Sequence, residues 1–175
     1  MKISLNFILS IILVVLIVLL QGCNLEKKEM VDKFYTHDLV KAQAKIPFPI
    51  IIPTYFPGNA KQISLPAIEG IINKENNNIE VHIRYALYLN SGAPSDIDIT
   101  ESNHLFRLGD PKLNSQLVST EILGRQVVME EFNHPLGPSS AFSFKSENIY
   151  FVVGLLNFPS DEATKIVESM IEQIE

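Results

Sequence analysis

The sequence predicts an α+β domain, a curved antiparallel β-sheet meander packed against a short N-terminal helix and a C-terminal amphipathic helix. Three observations predict it. Apolar residues alternate with polar ones from Ile79 through Val81, Ile83, Tyr85 and Leu87 to Leu89, the period of a strand with one buried face. Two pairs of apolar runs flank Leu123-Gly124 and Ser146-Glu147-Asn148, which is hairpin spacing. Near the C-terminus Ala163, Ile166, Val167, Met170, Ile171 and Ile174 mark one side of a helix whose other side is charged.

The elements follow in order. Residues 24–35, NLEKKEMVDKFY, begin polar with mixed charge and read as a tether, with some helix near its end. Thr36 is the expected cap of a short helix, with Asp38 in its first turn and Leu39, Ala42 and Ile46 as a narrow apolar stripe. Pro47 stops that helix. Pro47, Pro49, Pro53 and Pro57 then exclude helix and central strand, leaving extended chain, an edge strand over 50–52 and a turn at Pro57-Gly58. A strand within 60–72 leads through the Asn-rich turn 73–78 into the strand that starts at Ile79. Ile97 and Ile99, alternating with Asp96, Asp98 and Thr100, form a second strand with a solvated face. The hairpins pair 116–122 with 125–132 and 141–145 with 149–155, with Gly124 where a positive φ is needed. Ser160 is the expected N-cap of the last helix, and Asp161 and Glu162 suit the positive end of its dipole.

Composition bounds the function. The chain of 175 residues suits one domain, and 46% hydrophobic with 19% charged residues is globular. The formal charge is -6, and Lys61, Lys74, Arg84, Arg107, Lys112 and Arg125 stand singly, so no nucleic-acid partner is expected. A single cysteine excludes an internal disulfide and any multi-Cys zinc site.

That cysteine carries the address. Lys2 is a short positive region, and FILSIILVVLIVLL from Phe7 to Leu20 has the length of a secretory apolar core. Leu20-Gln21-Gly22-Cys23 follows and resembles the bacterial lipobox, with a branched aliphatic residue three before the cysteine and a small one directly before it. Gly22 lets a peptidase reach the scissile bond, and the Cys23 thiol takes a diacylglyceryl group, with acyl chains of the palmitate kind. Gln21 departs from the Ala, Ser or Thr usual there. Extending the apolar run back to Ile3 gives 18 residues, so an uncleaved anchor is the alternative. Either way the folded part is expected to face outward from the cell membrane. The expected division is a signal peptide over 1–22, a lipidated tether over 23–36 and one domain over 37–175.

The run from Asp38 to Pro57, DLVKAQAKIPFPIIIPTYFP, resembles the opening of domain of unknown function 4367: a short helix, a Pro-Phe-Pro core and a Pro-x-x-x-Pro turn. The ending is similar too, with Glu147-Asn-Ile-Tyr-Phe-Val-Val-Gly154, a spacer, then Ile166-Val-Glu-Ser169. The Leu123-Gly124 hairpin and the strand ending Ile83-Arg-Tyr85 also have counterparts in the family. The resemblance spans roughly residues 37–174 and implies surface lipoproteins or the outer ends of anti-sigma-factor-like membrane proteins. It also implies kinship with curved-sheet lipoprotein carriers. It implies no catalytic residue.

Chemistry-bearing groups are sparse. His37, His82, His104 and His134 lack metal-site spacing and read as surface or loop residues, so neither a metal nor another cofactor is expected. Asp96, Asp98, Thr100 and Glu101 echo a calcium loop but lack its Gly and distal Glu. Glu130 and Glu131 fall on opposite faces of a strand, and Ser139-Ser140 lack a nucleophile elbow. The expected function is a non-catalytic binding or sensing module, bound to the membrane through Cys23 and open to an envelope protein or lipid ligand. One alternative is a carrier of a hydrophobic ligand, with Ile83, Tyr85 and Leu87 as candidate groove lining, set against a filled core in which Phe48 and Ile50 plug the end. The other is an envelope hydrolase, which requires a cleft where a histidine and a carboxylate converge.

Overall fold

The computed structural model describes residues 30–58, 60–62, 64–89, 94–105 and 116–174. The expectations for the signal peptide and for Leu20, Gln21, Gly22 and Cys23 lie outside those residues. The folded unit runs from Val31 to Glu175.

Among the described residues nine strands make one antiparallel sheet: β1 (Val31–Thr36), β2 (Lys61–Gln62), β3 (Ala67–Asn73), β4 (Asn78–Tyr88), β5 (Pro94–Ser102), β6 (Gln116–Ile122), β7 (Arg125–His134), β8 (Gly137–Ser146) and β9 (Ile149–Leu156). Helices α1 (Leu39–Gln43) and α2 (Ser160–Ile171) complete the α+β class expected from the sequence. The spatial order is β1-β3-β4-β5-β9-β8-β7-β6, with β2 paired to β4. The sheet thus joins two runs of sequential strands through the β5–β9 pair.

Period-two patterning decides which face is buried. Ile79, Val81, Ile83, Tyr85 and Leu87 of β4 share the inner face with Ile97 and Ile99 of β5 and with Phe151, Val153 and Leu155 of β9. Helix α2 lies against β8 and buries Ala163, Ile166, Val167, Met170 and Ile171, the side its apolar spacing marks. At the Leu123-Gly124 turn both residues have positive φ, 50° and 76°, which gives the hairpin the twist its strands need.

Four local expectations change. Residues 31–36 are not tether: Val31 to Thr36 pair with β3 as an edge strand, because Phe34 packs on the core and Val31 stays half-buried. The cap of α1 is Asp38, whose Oδ1 accepts the N–H groups of Val40 and Lys41 at 3.0 and 3.2 Å, while Thr36 Oγ1 accepts the Asp38 N–H. Residues 50–52 form no strand, because side chains rather than a neighbouring strand take their backbone groups. Ser160 is the first helical residue of α2 rather than its cap; the Ser160 hydroxyl donates to Glu131 Oε1 instead, at 3.1 Å.

Candidate functional site

The expected groove lining is core. Ile83, Tyr85 and Leu87 are 1%, 3% and 1% exposed, and the Phe56 ring meets Tyr85 edge-on with centroids 5.3 Å apart. The Pro-rich strap, residues 46–57, adds Ile46, Phe48 and Ile50, all buried, to the same core. Prolines remove N–H donors along the strap, and side chains from elsewhere satisfy what remains. Gln43 Nε2 donates to Phe48 O at 2.8 Å and Gln43 Oε1 accepts the Ile50 N–H at 2.8 Å. From α2 and just beyond it, Ser169 Oγ accepts the Thr54 N–H at 3.2 Å and Gln173 Nε2 donates to Ile52 O at 2.7 Å. Tyr55 reaches Glu162 Oε2 at 2.6 Å; that bond holds the phenol above its ordinary range and the carboxyl below its own.

One strap bond ends on a buried acid. The Ile51 N–H donates to Glu101 Oε1 at 2.8 Å, and Glu101 Oε2 has no partner. Glu101 is fully buried on the inner face of β5, paired in register with Val81 and Phe151. Burial pushes its carboxyl up to about 8, against the lowering effect of the Ile51 bond. Strict alternation from Ile97 and Ile99 already turns Glu101 inward. That signal was available in the sequence, but there it stood beside Asp96 and Asp98 as one more polar residue.

The outer face of the sheet gathers the polar side chains. Register sets Glu69, His82 and Thr100 in one row and Ala67, Arg84 and Asp98 in the next, and Tyr35 sits opposite Glu69. Together they line a shallow open trough of about 590 Å³. Arg84 Nε donates to Asp98 Oδ1 at 2.6 Å, which holds the guanidinium above its ordinary range.

Two histidines that are solitary in the sequence converge beside this trough. His82 Nε2 lies 3.3 Å from Glu80 Oε2, and His104 Nε2 lies 3.0 Å from Glu80 Oε1. Their Nδ1 atoms meet Thr100 Oγ1 at 3.1 Å and Ser102 Oγ at 2.7 Å. A carboxylate oxygen accepts, so the Nε2–H of each ring points at Glu80 while Nδ1 faces a hydroxyl. The chain Thr100–His82–Glu80–His104–Ser102 is then complete, with every nitrogen engaged. The convergence of histidine and carboxylate that a hydrolase needs is present. However, Ser102 is 0% exposed and its Oγ already accepts the His104 backbone N–H at 3.2 Å, so a substrate carbonyl has no route to that hydroxyl.

The remaining candidates stay apart. His37 Nδ1 meets Pro66 O and its Nε2 meets Tyr35, while His134 Nδ1 accepts the Leu136 N–H. Glu130 and Glu131 point to opposite faces, opposite Ala141 and Ser140. Among the described residues no three His, Cys, Asp or Glu side chains are placed to hold a metal ion. No protein-family model, curated protein or solved structure matches the chain.

Proposed function

We propose that this chain is a cell-envelope lipoprotein, anchored through lipid on Cys23, whose folded domain is a non-catalytic binding or sensing module facing outward. The observation that carries the proposal is Leu20-Gln21-Gly22-Cys23 at the end of an apolar run, with Cys23 the one cysteine of the chain. Kinship with domain of unknown function 4367 belongs to the same proposal and is supported by the proline pattern of 47–57 and the ending at 147–170. The binding part rests on the outer face, where Glu69, His82, Arg84 and Asp98 line an open trough suited to a polar partner, an envelope protein before an apolar ligand.

The fold sharpens what anchoring would mean. With β1 starting at Val31, only residues 24–30 separate the domain from Cys23. Fully extended, that stretch reaches roughly 25 Å, so a lipidated Cys23 would keep the domain close to the bilayer surface.

Intact mass of the protein extracted from membranes tests the proposal. A chain starting at Cys23 and carrying a diacylglyceryl group, with the group absent in Cys23→Ala, is the expected result. A full-length chain without lipid would overturn it and leave the first segment as an uncleaved anchor.

A further inference from the structure

We infer that the Pro-rich strap is a pH-responsive cover, held shut while Glu101 is protonated and released from the inner face of the sheet as Glu101 ionises. The geometry makes the strap separable from the fold beneath it. Among the described residues, 47–56 make no backbone–backbone hydrogen bond; Gln43, Glu101, Ser169 and Gln173 take their place. Lifting the strap therefore breaks side-chain bonds and apolar contacts while the strand ladders stay intact. Such segments open at lower free energy than the core they cover.

Glu101 ties that opening to a proton. Its neighbours in register, Val81 and Phe151, are apolar, and the strap faces it with the Ile51 N–H. Tyr85 on β4 is the titratable group that feels its charge, and burial already pushes that phenol up to about 12. On α2, Glu162 is engaged elsewhere, bonding Tyr55 and Lys165. An ionised Glu101 would hold one hydrogen bond and leave Oε2 without any. Lifting the strap lets water reach it. The open state thus binds the proton less tightly than the closed state, and raising the pH favours opening. Release uncovers Tyr85, against whose ring Phe56 of the strap packs in the closed state.

Linkage gives the window. The closed-state carboxyl titrates at about 8 and a solvated one near 4.5. Opening should therefore rise about tenfold per pH unit between those values and level off above the upper one, on the order of a thousandfold in all.

Amide hydrogen exchange on the full-length chain in detergent, corrected for the intrinsic pH dependence of exchange, tests this. The amides of Ile50, Ile51 and Thr54 should show that slope at a much higher level of opening than those of Phe151 and Val153 in β9, which open only with global unfolding. Glu101→Gln should abolish the slope. Gln43→Ala should raise strap opening at every pH and keep the slope, which separates a loosened strap from a lost proton switch and serves if Glu101→Gln does not fold. A pH-independent strap, a slope that survives in Glu101→Gln, or strap and β9 amides opening together would each overturn the inference.

Discussion

The Phe34 ring lies where a side chain on Gly70 would stand. The two residues are partners across β1 and β3, and a Cβ built on Gly70 would run into Phe34 Cε1 and Cζ. Edge strand β1 is thereby keyed to the sheet by one aromatic ring over one bare backbone position, with Lys45 Nζ 4.8 Å above the same ring.

Gly70→Ala is accordingly expected to cost about 1–3 kcal/mol, because the methyl group must displace the ring or the strand. Denaturant melts of Gly70→Ala, Phe34→Ala and the double variant would measure it. The double variant should lose less than the sum of the two single losses, since the clash vanishes with the ring. Strict additivity would mean that the two residues do not share this contact.

Global stability should also fall with rising pH on account of Glu101. Its folded-state carboxyl is raised to about 8 from 4.5, so the folded chain holds a proton that the unfolded chain has released. The stabilising effect is full below the lower value and disappears as pH rises through the upper one, with a total on the order of a few kcal/mol. Urea melts at pH 5, 6.5 and 8 should show wild type losing stability relative to Glu101→Gln. Parallel curves for the two proteins would rule this out.

Gln43→Ala removes three strap contacts at once: donation to Ile46 O at 3.3 Å and to Phe48 O at 2.8 Å, and acceptance from the Ile50 N–H at 2.8 Å. A loss of about 2–3 kcal/mol is expected at about 1 kcal/mol for each bond, read from the midpoint of thermal melting.

Leu123 has room for improvement. It is a β-turn residue with φ of 50°, and its side chain is 47% exposed, so it bears left-handed strain without a packing return. Leu123→Asn should raise stability by about 1 kcal/mol, and an unchanged melting temperature would show that the turn is already relaxed.

Much of this fold was legible because its signals are local. Alternation at residues 79–89 marked β4 and its buried face, Leu123-Gly124 marked the β6–β7 hairpin, and the apolar spacing of Ala163 to Ile171 marked the covered side of α2. The site was less legible. His82 and Glu80 lie two residues apart on one strand, and alternation alone puts them on one face. His104 joins them only because β4 and β5 pair with Glu80 opposite Ser102. Residues 31–36 read as tether because Asp32 and Lys33 continue the mixed charge before them, while the half-buried ring of Phe34 needed Gly70 opposite it to count.

By itself the sequence determined the period of each strand, the turns, the helical stripe, and the apolar run that ends in Cys23. Those depend on residues within a few positions of one another, where sterics and hydrogen bonding leave few choices. Only the tertiary structure decided that β5 pairs with β9 rather than with the next strand in the chain, that the strap closes over Tyr85, and that Glu101 ends up beneath Ile51. Such pairings join segments far apart in the chain, fifty residues for Ile51 and Glu101. What selects among them is the total apolar surface each arrangement hides, a property of the assembled sheet and of no single stretch of it.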